Sequence, residues 1–116
     1  MRAIFHRQSH PTIVKNPNAR PRFREPILIA AGWKPGWSTD YDAVLLARGL
    51  GATIVINLSD LDYVYSADPW KDRTAKPMKR IDWKDFRKLV GNKWDPGLNA
   101  PFDPVASELA ARIGLT

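Results

Sequence analysis

The fold of this chain is decided by the segment from Pro26 to Pro69, PILIAAGWKPGWSTDYDAVLLARGLGATIVINLSDLDYVYSADP. It opens with a continuous apolar run, Ile27 to Ala31, of the length expected for a strand that is buried on both faces. A second run, Thr53 to Ile56, consists of β-branched residues, which favour strands. Both runs end at polar or glycine-rich turns. We therefore predict two strands of one buried parallel sheet.

A helix is predicted between these two strands. Ser38 and Thr39 offer hydroxyl caps, and acidic residues occupy the positions of a first helical turn. Gly51 supplies a left-handed stop. Apolar residues at three- and four-residue spacing predict the buried face, and they are Ala43, Leu46, Ala47 and Leu50. Strand, turn, helix and strand together form one right-handed parallel crossover unit.

The flanking sequence is less regular. Residues 1–25 hold few apolar residues in any period and are predicted as a basic amino-terminal arm or loop, with a short strand at most at 12–14. A charged loop is predicted from Asp68 to Lys79, and a further loop over 91–101.

Two more helices are predicted towards the end of the chain. Asp82 and Asp85 have capping-box spacing, and they begin a short helix that runs through Leu89. Asp103 at the cap and Pro104 at the first position begin another. Residues 114–116 start what is predicted as a further strand, so we expect the chain to be truncated there.

Composition limits the classes of function. The 116 residues can bury one modest core, and no run approaches the length of a membrane span, so a cytoplasmic protein without a membrane partner is expected. The absence of cysteine excludes disulfides, thiolate metal sites and cysteine nucleophiles. The net charge is +6. Both ends of the chain are basic and the middle is acidic, but scattered cations on a solvated surface explain this as well as a nucleic-acid partner, which we do not expect.

The first candidate site follows the first predicted strand. Ligands of open parallel sheets bind at the carboxyl ends of the strands. Glycines that permit close backbone approach and hydroxyls at a helix N-terminus favour a phosphate there, and these residues are Gly32, Gly36, Ser38 and Thr39. The alternative is purely structural, in which the hydroxyls cap the helix while Trp33 and Trp37 pack.

The second candidate site follows the second predicted strand. It combines carboxylates and a hydroxyl with two tyrosines, and the residues are Ser59, Asp60, Asp62, Asp68, Tyr63 and Tyr65. Such a set can hydrogen-bond a ribose or a base and stack against a ring. Paired carboxylates could also hold Mg²⁺ beside a phosphate. The alternative is an aspartate-rich turn, since Asn, Ser and Asp are common turn formers.

Three pieces of the sequence, 26–32, 35–40 and 54–69, are together similar in order and spacing to the uridylate kinases. In that family a strand, a Pro-Gly-x-Thr-Thr-Asp loop, a helix, and a strand ending in Thr-Asn-Val-Asp-Gly-Val-Tyr-x-x-Asp-Pro follow one another. The resemblance implies the amino-acid-kinase fold, a three-layer α/β sandwich with a mainly parallel sheet. Residues 26–116 would form the nucleotide-binding part of one such domain, incomplete in this chain.

The resemblance also implies roles for the candidate residues. The parent protein would transfer a phosphoryl group from ATP to UMP in pyrimidine nucleotide biosynthesis, with Mg²⁺ travelling on the nucleotide and no separate metal site, and it would be a homo-oligomer. Asp40 would be the catalytic acid that orients basic groups around the transferring phosphoryl. The acceptor-binding residues would be Gly32, Trp33, Gly36, Ser38 and Thr39. The ATP-binding residues would be Ser59, Asp60, Tyr65 and Asp68.

Departures from the family pattern leave alternatives open. Tyr63 replaces a glycine and Ser59 a threonine, and residues 1–25 contain no strand followed by paired glycines. We therefore expect the chain alone to be inactive. A non-catalytic nucleotide- or anion-binding relative, or a kinase of another acceptor, would have the same fold.

Overall fold

The computed structural model describes residues 1–59, 61–93 and 100–116. Helix α1, Thr39–Leu50, begins where the sequence predicts, because the Ser38 hydroxyl accepts a hydrogen bond from the Tyr41 amide at 3.1 Å. It ends at Gly51, whose φ of 71° lies in the left-handed region.

The predicted buried face of α1 is partly wrong. Val44, Leu45 and Ala47 are buried, whereas Leu50 is 37% exposed. The reason is that α1 packs against another helix through the Val44 side, a tertiary contact that spacing alone does not specify.

Helices α2, Trp83–Val90, and α3, Pro104–Arg112, are confirmed together with their caps. The Asp82 carboxylate accepts from the Asp85 amide, and the Asp103 carboxylate accepts from two amides at the start of α3. Of the predicted loop over 91–101, residues 94–99 lie outside the part of the chain that the structure describes.

The core lies where α3 packs against both α1 and α2. Its buried apolar residues are Val44, Leu45, Ala47, Phe86, Phe102, Ala106, Leu109, Ala110 and Leu115. The Trp83 indole N–H donates to the Leu115 carbonyl at 2.6 Å and fastens the end of the chain to α2. This helical core fixes the position of the α1 N-terminus.

The sheet differs from the prediction. Strands β1, Val64–Tyr65, and β2, Pro77–Met78, pair antiparallel, so the loop predicted up to Lys79 contains a strand. Parallel pairing occurs as isolated bridges, in which Ser9 pairs with Ile27, and Val14 with Ala30. The predicted mainly parallel sheet is therefore present among the described residues only as these short contacts.

The second predicted strand, 53–56, is not buried on both faces. Thr53 and Val55 exchange backbone hydrogen bonds with Thr116, at 2.9 and 2.8 Å. Ile54 and Ile56 are 62% and 79% exposed. Val55 packs against the helical core, but the opposite face of this segment has no comparable cover within the described part of the chain.

Candidate functional site

The entry loop, residues 32–40, leads into the N-terminus of α1. Gly36 adopts a φ of 82°, a left-handed conformation that a side chain would strain. The Ser38 hydroxyl caps the Tyr41 amide, but the amides of Thr39 and Asp40 have no acceptor in the described residues. Two free amides and the positive end of the helix dipole make this position suitable for an anion.

The acidic side chains of the first turn of α1 are bound to other backbone amides. Asp40 Oδ2 accepts from the Asp103 amide at 2.9 Å, and Asp42 Oδ2 accepts from the Trp33 amide at 2.8 Å. Because each carboxylate already has a partner in another segment, neither caps the free amides of Thr39 and Asp40. The chain's own acids therefore leave the anion position available.

Asp40 joins the start of α1 to the start of α3. Burial is the main reason that the pKa of its carboxyl is raised above the ordinary value, and the nearby Asp103 carboxylate also raises it. The hydrogen bond from the Asp103 amide acts in the opposite direction. The predicted catalytic residue thus has one oxygen engaged in a contact between helices.

Aromatic rings hold the entry loop on α1. The ring centroids of Trp33 and Trp37 are 4.9 Å apart with planes at 70°, and Trp37 lies 4.9 Å from Tyr41. The Lys34 ammonium lies 4.1 Å from the Trp33 ring centroid. The packing role that the sequence left open for the two tryptophans is therefore present, and it brings a cation next to the loop.

The predicted ATP-binding residues line two neighbouring cavities. The Trp83 cavity, about 330 Å³, includes Ser59 in its wall. The Leu89 cavity, about 280 Å³, includes Tyr65 and Asp68. Val64 and Pro101 line both cavities, so the two are adjacent. Asp60 lies outside the described residues.

Local hydrogen bonds show how these loops are shaped. The Ser59 hydroxyl accepts from the Leu61 amide at 3.2 Å, and Asp68 accepts from the Trp70 amide at 2.9 Å. Asp68 also lies 3.5 Å from the Lys71 ammonium. The turn-forming role that the sequence left open is thus present. Within 1–59, 61–93 and 100–116, no three His, Asp or Glu residues are grouped as a metal site.

The two candidate sites are connected through the residues that precede α3. Asp40 binds the amide of Asp103, and the adjacent Phe102 and Pro101 form part of the wall of the Trp83 cavity. The contact spans 63 positions of sequence. Asp40 therefore couples the position of the entry loop to that of the Trp83 cavity.

A third cavity, the Asp42 cavity, was not predicted. It measures about 180 Å³ and lies between α1 and the extended segments of 14–17 and 30–32, with Gly32, Thr39 and Asp42 in its wall. Asp42 is 7% exposed, and its Oδ1 is buried with no hydrogen-bond partner in the described chain. The signal in the sequence was a second acid in the first turn of α1, which we interpreted only as favourable to the helix dipole.

The sequence pattern of the amino acid kinase family matches residues 15–115. The chain belongs to the amino acid kinase family. It is 36% identical over 89 residues to the uridylate kinase of Hyperthermus butylicus, covering 77% of this chain and 39% of the relative. It is 38% identical over 90 residues to the uridylate kinase of Methanospirillum hungatei, covering 77% and 38%. The resemblance to uridylate kinases is confirmed.

Coverage of the relatives is partial. The uridylate kinase of Methanoculleus marisnigri is 29% identical over 110 residues, which are 92% of this chain and 47% of the relative. The chain thus spans about two fifths to a half of the length of these family members. Membership of the amino acid kinase family implies its α/β fold, of which this chain shows the helical core and short pieces of sheet. No helix among the described residues is long and apolar enough to cross a membrane.

Proposed function

We propose that this chain carries the phosphate-acceptor loop and part of the ATP site of a UMP kinase. The observation that supports the proposal is the pair of free amides at the N-terminus of α1, left open because Asp40 and Asp42 bind amides elsewhere. Relatives named uridylate kinases match this part of the chain. The entry loop would hold the phosphate of UMP at the Thr39 and Asp40 amides.

Phosphoryl transfer asks a protein chiefly for positioning and for compensation of charge. The α1 dipole and the free amides would stabilise the acceptor phosphate, and Lys34 would add a positive charge beside it. Asp40 would act by fixing the entry loop relative to the Trp83 cavity through the Asp103 amide. Its role is therefore positioning as well as electrostatic.

ATP would occupy the adjacent Trp83 and Leu89 cavities. Their mixture of apolar wall, the Ser59 hydroxyl, the Tyr65 ring and the Asp68 carboxylate fits an adenosine group. ATP supplies the transferred phosphoryl group, with Mg²⁺ neutralising its phosphates. A cytoplasmic location and a homo-oligomeric longer protein stay predictions from the family resemblance.

Replacement of Thr39 by proline tests the acceptor part of the proposal. Proline is favoured at the first position of a helix, and the preceding Ser38 is already extended at φ −77° and ψ 153°, so α1 should persist. The substitution removes the free Thr39 N–H. We expect the affinity for UMP, measured by calorimetry, to fall roughly tenfold, because a hydrogen bond to a charged group is lost.

Thr39→Ala is the matched control, since it removes the hydroxyl and keeps the amide. ATP is titrated separately, and ADP formation is followed with both nucleotides present. We expect binding without turnover for this chain and turnover for a longer protein that contains it. Absence of UMP binding would contradict the acceptor site, and binding of both nucleotides without ADP formation by the longer protein would contradict the kinase activity.

A further inference from the structure

We infer that Asp42 and the cavity beside it receive the nucleoside part of the phosphate acceptor, with Asp42 Oδ1 accepting a hydrogen bond from a ligand hydroxyl or N–H. This inference rests on the proposed function, because it places the ligand's phosphate at the α1 N-terminus. It adds a residue and a recognition chemistry that the family resemblance did not include.

The first argument is the state of the Asp42 carboxylate. One oxygen, Oδ2, is engaged by the Trp33 amide at 2.8 Å. The other, Oδ1, is buried and has no partner among the residues that the structure describes. A buried carboxylate oxygen without a donor is costly, and an ionised carboxylate only accepts hydrogen bonds. Asp42 therefore selects a ligand group that donates.

The second argument is position. Thr39 lies both at the proposed phosphate position and in the wall of the Asp42 cavity. Asp42 is three residues further along α1, about 4.5 Å at the rise of an α-helix. Leu46 continues the same wall a turn beyond. A ligand that is anchored by its phosphate at the Thr39 amide would therefore reach Asp42 with its next group.

The third argument is the character of the wall. Apart from Thr39 and Asp42, the cavity is lined by small or apolar residues, namely Val14, Pro17, Ala30, Ala31, Gly32, Ala43 and Leu46. An apolar wall with a few polar groups is typical of sites for small organic ligands. A second phosphate or carboxylate would be repelled by Asp42. The cavity therefore fits an uncharged sugar or base.

Asp42→Asn tests the inference. An asparagine can keep its carbonyl oxygen on the Trp33 amide, and its amide group then replaces the acceptor Oδ1 with a donor. We expect the thermal stability of the chain to be kept and the dissociation constant for uridine to rise at least about tenfold, from a millimolar value. Binding is followed by NMR shifts of the Trp33 and Asp42 amides. Asp72→Asn, at an exposed turn, is the matched loss of charge and should bind uridine like the unaltered chain.

Separate probes identify the donor and keep the two proposals distinguishable. Dependence on Asp42 with uracil alone supports a base N–H, and dependence with ribose alone supports a hydroxyl. Inorganic phosphate should bind the unaltered chain and Asp42→Asn equally, and its failure to bind either would contradict the proposed function but not the uridine result. The inference is overturned if uridine does not bind the unaltered chain, if Asp42→Asn binds uridine equally well, or if it loses phosphate and uridine in the same proportion.

Discussion

Replacement of Leu109 by alanine is expected to lower the free energy of unfolding by about 2–5 kcal/mol, the range for buried leucines that leave a cavity. Leu109 is 5% exposed and belongs to the cluster in which α3 meets α1 and α2. That cluster is small for a chain of 116 residues, and small domains have little stability to spare. We therefore expect much of the Leu109→Ala population to be unfolded at room temperature.

Urea denaturation followed by far-ultraviolet circular dichroism measures this effect. Val105→Ala is the matched control, because Val105 lies on the same helix and is 39% exposed. Its change in stability should stay within about 0.5 kcal/mol, as is usual for surface positions. If Leu109→Ala were as stable as Val105→Ala, α3 would not be the centre of the core.

Replacement of Asp40 by alanine is expected to cost about 1–3 kcal/mol, because the Asp103 amide at the start of α3 loses its acceptor. Asp40→Asn keeps an acceptor oxygen and should cost less. The comparison separates the hydrogen bond from the charge. Thermal unfolding of both variants at one pH measures the first of these effects.

The charge of Asp40 gives a pH dependence of known sign. Its pKa in the folded chain is raised above 3.8, chiefly by burial, so the folded state holds this proton more tightly than the unfolded state. The stabilisation from the protonated carboxyl is present below 3.8 and is lost as pH rises through the folded pKa. Asp40→Asn should therefore become more stable relative to the unaltered chain as pH rises across this window. A difference that is constant with pH, or that changes in the opposite direction, would contradict the burial of this carboxyl.

The starts of the helices could be predicted from the sequence because their causes are local. The caps at Ser38, Asp82 and Asp103 each bond an amide within three residues, and the stop at Gly51 depends on its own backbone. The extended segments are different, since burial of a strand depends on distant partners. Ile54 and Ile56 have the composition of buried residues but lack cover on their face of the segment in the part of the chain described.

The candidate site could be predicted only in part, for the same reason. The entry loop and its phosphate-binding chemistry follow from glycines, hydroxyls and a helix N-terminus that are close in sequence. The bond between Asp40 and Asp103 joins residues 63 positions apart, and no local pattern indicates it. Asp42 was taken for an ordinary first-turn acid because its partner, the Trp33 amide, belongs to the preceding loop.

Chemical shifts of the backbone amides during a titration with inorganic phosphate test the central claim most directly. The amides of Thr39 and Asp40 should move in a saturable way, because they are the free donors at the α1 N-terminus. The amides of Val105 and Ala106 at the α3 N-terminus should not move, since Asp103 already caps them at 2.6 and 2.9 Å. Equal movement at both helices, or no movement of Thr39 and Asp40, would contradict a phosphate-acceptor site in the entry loop.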